Sequence, residues 1–304
     1  MIQTRELTRK FNGLTAVDRL TVDIQEGEVF GFLGPNGAGK TTTVRMLACL
    51  IRPTSGTATV NGIQVGKDNR AIRSIVGFLT ESPGLYEKLS AEANLLYFAR
   101  LYDVENPEEQ VRKYLEMLGL WERRAETVGG FSKGMKQKVA IARALVHEPK
   151  VLFLDEPTSA LDPEAAKTVR NFIEELKAHK RTIILCTHNL DEAERLCDRI
   201  GVIRQKLIAV DTPDGLRRSL FGRQTVVQLE NVTPALLETA SSLDFVAHVQ
   251  QENNKIIISL ADPDKQNPII VERLVSAGGK VQYVNEVRHS LEDVYLTLVR
   301  EEGR

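Results

Sequence analysis

The residues Gly34-Pro35-Asn36-Gly37-Ala38-Gly39-Lys40-Thr41 have the types and spacing to wrap a chain of phosphates, with Thr42 following directly. Such a turn aims backbone N–H groups at phosphate oxygens, its glycines let the main chain come close, and a helix N-terminus behind it favours negative charge. Lys40 would neutralise the β and γ phosphates of a nucleoside triphosphate, and Thr41 would ligate Mg²⁺. A second group complements the first: Val151-Leu152-Phe153-Leu154-Asp155-Glu156-Pro157 is an apolar run ending in two acids. A buried strand ending in a carboxylate can set Asp155 beside the phosphate loop, where it would hold Mg²⁺ through the ion's water shell. Glu156 would then point toward the γ-phosphate and could orient and polarise an attacking water.

These residues need a scaffold, and the surrounding pattern supplies one. Residues 28–33 read as a buried strand and 42–48 as a helix, the order a phosphate loop requires. The first 64 residues alternate short β-like runs with turn signals at Gly13, Gly27, Gly56 and Asn61-Gly62 and look like a sheet feeding that loop. After a strand at 75–79 the pattern turns helical, with Ser90 as a cap and Pro107 opening a second helix, so residues 82–149 read as a helical insertion. Strands return at 151–154 and 182–186, separated by a helix over 163–176. Strands alternating with helices imply a mostly parallel sheet with its ligand at the carboxyl ends of the strands. A break near Gly222 divides an α/β domain over residues 1–221 from a smaller unit over 222–304. The latter reads as strand, helix, strand, strand, helix (268–277), strand and a last helix from Ser290, a split β-α-β order expected to form a small α/β sandwich.

Composition narrows the setting. The 304-residue chain balances 40 Lys and Arg against 41 Asp and Glu, and its basic pairs are scattered, so no broad field draws it to nucleic acid or anionic lipid. Cys49, Cys186 and Cys197 lie in apolar surroundings without C-x-x-C spacing, which predicts buried, reduced thiols as in the cytosol. Residues 1–13 carry charges where a signal peptide needs an apolar run, and no stretch approaches about 18 uninterrupted apolar residues. Membrane association is therefore expected through a protein partner.

Phe131-Ser132-Lys133-Gly134-Met135-Lys136-Gln137-Lys138 resembles the Leu-Ser-Gly-Gly-Gln signature of ABC ATPases, and it opens a helix rich in Ala142, Ala144, Leu145 and Val146. Ser159-Ala160-Leu161-Asp162 resembles the D-loop of that family, His188 its switch histidine, and Phe11 the aromatic that stacks on adenine. Glu81 stands at the position resembling the Q-loop glutamine. The order of elements matches over residues 1 to about 220. The resemblance implies ATP and Mg²⁺ as ligands, with Thr41, Asp155 and Glu81 at the metal. It implies a head-to-tail dimer with a second copy, in which Ser132, Lys133, Gly134 and Met135 of one subunit face the γ-phosphate held by Lys40 of the other. Hydrolysis would occur at Glu156 with help from His188, and Asp162 would lie at the junction of the two sites.

Lys133 and Met135 replace Gly and Gln of the general signature, Glu81 replaces glutamine, and the C-terminal unit carries Ser290-Leu291-Glu292-Asp293-Val294-Tyr295-Leu296 near its end. Together these are similar to ATP-binding subunits of ABC-2 exporters for drugs or ions. That resemblance implies a separate transmembrane permease docking along Glu81, Leu85, Tyr86 and Leu89, and a location at the cytoplasmic face of the membrane. The competing class is a soluble ABC ATPase acting on ribosomes or nucleic acid. Members of that class fuse two ATPase domains or insert long coiled coils; this chain does neither and has no basic arm, so no nucleic-acid partner is expected.

Overall fold

The computed structural model describes residues 1–80, 82–287 and 289–301, the last without its side chain. It divides into two compact units, Met1–Pro213 and Asp214–Arg304. The first unit opens with β1 (Ile2–Phe11), β2 (Leu14–Ile24), β3 (Val29–Leu33), α1 (Lys40–Leu47), β4 (Ser55–Val60), β5 (Ile63–Gln64), α2 (Asn69–Ile75) and β6 (Val76–Leu79). A helical stretch follows with α3 (Ala91–Leu101), α4 (Pro107–Met117) and α5 (Lys133–Leu145). The unit then continues through β7 (Val151–Asp155), α6 (Pro163–Ala178), β8 (Thr182–Thr187), α7 (Leu190–Leu196), β9 (Arg199–Arg204) and β10 (Lys206–Asp211).

Two sheets are built from these strands. One is antiparallel in the order β2-β1-β4-β5, and the other has the order β10-β9-β3-β8-β7-β6, parallel except where β10 joins β9. The early β-like runs therefore do not form a single sheet with β3. They make a separate layer, and only β3 enters the parallel sheet. β3 and β7 are buried at every position, as strands covered on both faces must be, and this explains their unbroken apolar sequence. Phe30, Phe32, Phe153 and Ile184 sit in one core with Leu7, Leu20 and Val44 from the antiparallel sheet and α1.

In the parallel sheet β8 lies between β3 and β7, with Leu33 opposite Thr187 and Asp155 opposite Cys186. The three strands that carry the phosphate loop, the acid pair and His188 thus end side by side. The helical stretch is tied together by a few specific contacts. Ser90 caps α3 by accepting from Ala93 N at 3.0 Å. Fully buried Asn94 donates to the carbonyls of Tyr86 and Ser90, both at 3.0 Å, and accepts from Tyr86 N at 2.9 Å. Arg143, near the end of α5, donates to the Gly84 carbonyl at 2.8 Å.

The second unit comprises α8 (Pro213–Phe221), β11 (Arg223–Leu229), α9 (Pro234–Ser241), β12 (Val246–Glu252), β13 (Lys255–Leu260), α10 (Pro263–Ser276), β14 (Val281–Glu286) and α11 (Leu291–Glu301). Its sheet order is β12-β13-β11-β14 with every neighbour antiparallel, so β11 and β12 run the same way around β13, a split β-α-β arrangement. The division between the units falls between Pro213 and Asp214, at the start of α8, whereas the sequence pattern placed its break near Gly222. Phe221 stacks on His289 with ring centroids 4.0 Å apart, a contact inside the second unit. Helix α10 begins at Pro263 rather than at Pro268, which lies inside it. The earlier proline takes the N1 place where a missing N–H costs nothing, and Gln266 N bonds Asp262 O at 2.9 Å to start the helix.

Close packing of α5 on β6 depends on Gly77, where a Cβ would stand 2.1 Å from the Ala144 carbonyl oxygen. Backbone cannot retreat as a flexible side chain would. Gly77→Ala is expected to cost about 1–3 kcal/mol, read as a melting temperature lowered by several degrees in a circular-dichroism scan of the full chain. An unchanged melting curve would show that α5 is not tightly seated there.

Candidate functional site

The loop after β3 is shaped by crowding. A Cβ on Gly34 would lie 2.3 Å from the Ile203 carbonyl oxygen, and one on Gly39, at φ 99°, would lie 2.5 Å from the Ala16 carbonyl oxygen. Both positions therefore exclude a side chain, and the loop is wedged between β2 and β9. It is stapled by Gln205 N donating to Ala38 O at 2.8 Å and Ala38 N donating to Pro35 O at 3.1 Å. Pro35 and Asn36 complete the curve, and Gly37 takes φ 80° in open space. Lys40, almost fully buried, donates from Nζ to Gly34 O at 2.6 Å and to Pro35 O at 3.3 Å. Thr41 Oγ1 donates to Asp155 Oδ1 at 3.0 Å, which joins the two sequence motifs directly. Thr42 follows on the first turn of α1.

Glu156 begins the turn after β7 with φ 51°, a left-handed backbone that is unfavourable for a residue with a side chain and recurs at functional sites. Its N–H is tied to Cys186 O at 2.9 Å. The side chain is mostly buried, with Oε1 3.4 Å from Lys40 Nζ and Oε2 2.9 Å from Nδ1 of the half-exposed His188. Among the described residues the buried Oε1 has no hydrogen-bond partner. That atom, the buried ammonium and the glycine cradle together fit a triphosphate and an attacking water.

Burial pushes the Asp155 carboxyl above the usual carboxylate range; the Thr41 hydroxyl and the Lys40 and Arg45 charges pull it back, while Glu156 pushes further up. Among the described residues no group of three or more His, Cys, Asp or Glu could hold a metal. The Thr41 and Asp155 pair instead suits Mg²⁺, which keeps most of its ligands as water and phosphate.

The other candidates are distributed around this centre. Phe11 is partly exposed at the β1–β2 turn, on the hairpin whose second strand meets Gly39, and the Arg9 guanidinium lies 4.3 Å over its ring. Ser132 caps α5, its Oγ accepting from Met135 N at 3.3 Å. Ser132 and Lys133 are exposed and, among the described residues, neither hydrogen-bonds to the phosphate loop. Gly134 is buried, where a Cβ would stand 2.6 Å from Ala165 Cβ, and Met135 Sδ accepts from Arg123 at 3.2 Å. Asp162 caps α6 through Ala165 N at 2.9 Å. Glu81 lies outside the described residues. Sequence patterning alone did not single out Arg9, Gln205, Gln137 or Glu192. Gln137 donates to Pro157 O at 2.8 Å, and Glu192 accepts from Thr158 and Thr187.

Residues 17–159 match the family described as ABC transporter, and residues 212–299 match the C-terminal domain of DrrA1-3-like ATP-binding proteins. Over 302 residues the chain is 34% identical to the bacitracin transport ATP-binding protein BcrA of Bacillus licheniformis, covering 98% of this chain and 97% of that protein. The linearmycin resistance ATP-binding protein LnrL of Bacillus subtilis is 35% identical over 87% of each chain. The dimeric structure of an ATP-binding cassette in a post-hydrolysis state, bound to ADP and Pi, superposes with a TM-score of 0.64 at 26% identity, covering 70% of this chain and 98% of that one. The chain belongs to the ATP-binding subunits of ABC transporters. It is an ABC ATPase of the exporter type, binding ATP and hydrolysing it to ADP and phosphate to drive transport.

Because the folded Asp155 carboxyl holds its proton more tightly than an exposed one, its buried charge opposes folding once the pH exceeds the unfolded value of 3.8. Asp155→Asn is therefore expected to raise the melting temperature of protein scanned without nucleotide at neutral pH. The advantage should shrink as pH falls toward the ordinary aspartate range, where both proteins are uncharged at this position. A variant less stable than wild type at pH 7 and equal to it in acid would reverse the sign assigned to Asp155.

Proposed function

We propose that the chain energises a separate transmembrane permease that exports drugs, ions or other small molecules, working as a head-to-tail pair of ATPase subunits at the cytoplasmic face of the membrane. The observation that carries the site assignment is Glu156 held between Lys40 and His188 at the ends of three adjacent strands. Lys40 binds the β and γ phosphates of ATP, backbone N–H groups in the 34–39 loop wrap them, and Phe11 stacks on adenine. Glu156 accepts a proton from the attacking water, and His188 orients the carboxylate through Oε2. Mg²⁺, held by Thr41 and Asp155, would supply charge neutralisation on the phosphates.

Dimerisation is supported by the exposed Ser132 at the start of α5, which could accompany a γ-phosphate bound by a second copy. Permease docking is supported by exposed Leu89, Tyr97 and Leu101, which line a groove of about 490 Å³ on α3, and by exposed Tyr86, whose ring meets that of Tyr97 edge-on. No helix among the described residues is long and apolar enough to cross a membrane, so the transport path would belong to the partner. The relatives named for bacitracin transport and linearmycin resistance favour a small-molecule substrate.

Glu156→Gln is expected to bind ATP, persist as an ATP-dependent dimer by size-exclusion chromatography, and hydrolyse about 100-fold more slowly or worse. Lys40→Ala should lose ATP binding or turnover. Wild-type hydrolysis in either variant would remove these residues from the site. The tagged Glu156→Gln chain, purified with ATP and Mg²⁺ from detergent-solubilised membranes, should bring down a polytopic membrane protein at near-stoichiometric yield. Recovery with ribosomes or nucleic acid instead would overturn the transport assignment.

A further inference from the structure

We infer that Glu192 is a positioning residue for ATP hydrolysis, its buried carboxylate fastening the turn that follows Glu156 to the turn that carries His188. The inference rests on the roles proposed for Glu156 and His188 and adds a residue that touches neither the phosphate loop nor the attacking water.

Glu192 is 1% exposed, a rare environment for a carboxylate without a specific task. Its Oε1 accepts from Thr158 Oγ1 at 2.9 Å and its Oε2 from Thr187 Oγ1 at 2.7 Å. Thr187 Oγ1 also accepts from Asn189 N at 3.0 Å, while its single proton goes to Glu192. Two donors converge on one acceptor-only group, the arrangement that suits an ionised carboxylate. Burial and the nearby Glu156 push the Glu192 carboxyl up while the two threonines pull it down.

Helix capping does not explain this side chain. Asn189 Oδ1 performs the capping by accepting from Glu192 N at 3.1 Å, and the Glu192 carboxylate turns away from the helix end toward the threonines. The covalent chain and these noncovalent links together close a ring around the site. From Glu156 it runs through Pro157 to Thr158, across to Glu192, back to Thr187, on to His188, and through the 2.9 Å contact between His188 and Glu156 to its start. Gln137 of α5 joins at Pro157 O, so the helix that Ser132 caps is fastened to the same ring. Loss of Glu192 frees both turns, and Glu156 and His188 no longer share one geometry. The phosphate loop, held by β2 and β9 instead, is untouched.

The test is steady-state ATP hydrolysis by the full chain with Mg²⁺-ATP for Glu192→Ala, Glu192→Gln, Thr158→Val and the Glu192→Ala/Thr158→Val pair, beside Glu156→Gln. Glu192→Ala should lower kcat about tenfold or more with little change in KM. Glu192→Gln keeps one acceptor oxygen and an amide of the same shape, and should recover much of that loss. Thr158→Val should lose activity alone yet add nothing to Glu192→Ala, because both break the same link. Should Glu192→Ala fail to fold, Thr158→Val with its unchanged shape carries the kcat test. Wild-type kcat in Glu192→Ala and Thr158→Val beside an inactive Glu156→Gln would overturn the positioning role alone. Wild-type turnover in Glu156→Gln would overturn the site assignment and this inference with it. A Glu192→Ala defect confined to KM, or a fully additive pair, would also sink it.

Discussion

The contact of the Glu156 carboxylate with Lys40 on one side and His188 on the other is the constraint on which the first unit depends. The three residues belong to segments far apart in sequence, and only adjacent strand ends can bring such segments to one point repeatedly. The order β3-β8-β7 supplies that adjacency, with the register Leu33 to Thr187 and Asp155 to Cys186 setting the depth at which each strand stops. A one-residue slip of β7 against β8 would reverse the faces of Asp155 and Glu156. The buried apolar strands behind the site act to prevent that slip.

Concentrating acids near a phosphate site is electrostatically costly. Asp155, Glu156 and Glu192 lie close enough that Glu156 raises the proton affinity of both others. The buried Lys40 ammonium faces Asp155 and Glu156, and the Arg170 charge acts on Glu192. The hydroxyls of Thr41, Thr158 and Thr187 help make the cluster tolerable, since each supplies a fixed donor to Asp155 or Glu192 where water has been removed. The left-handed backbone at Glu156 belongs to the same compromise: it turns the carboxylate back over the strand ends at a local cost offset by the Cys186 hydrogen bond.

The parts of this site that are local in sequence were legible there. The glycine spacing of residues 34–39, the hydroxyl at Thr41 and the apolar run before Asp155 each encode their own geometry, and the structure joins them through one hydrogen bond. Long-range choices were not legible. Nothing in the early β-like runs distinguishes β1, β2 and β4, which form an antiparallel layer, from β3, which joins the parallel sheet. The start of α10 was misplaced because Pro263 and Pro268 both have N1 chemistry. Glu192 follows Asn189 at the spacing of an ordinary helix start, and one of its two side-chain partners, Thr158, lies 34 residues away. Arg9 over Phe11 joins two residues of one strand, yet a basic residue beside an aromatic has no special meaning until the hairpin is built.

The departures in the signature segment have a steric logic. Gly134 is retained where a Cβ would press to 2.6 Å from Ala165, against the first turn of the helix capped by Asp162. Position 133 is exposed, so a lysine fits there without disturbing that contact. Position 135 is half-buried, and Met135 uses its flexible thioether to meet Arg123 while its N–H still caps to Ser132. Substitution is tolerated where the segment faces outward and refused where it packs inward. The glycine that a phosphate-contact argument would single out is fixed already by the packing of α5 on α6.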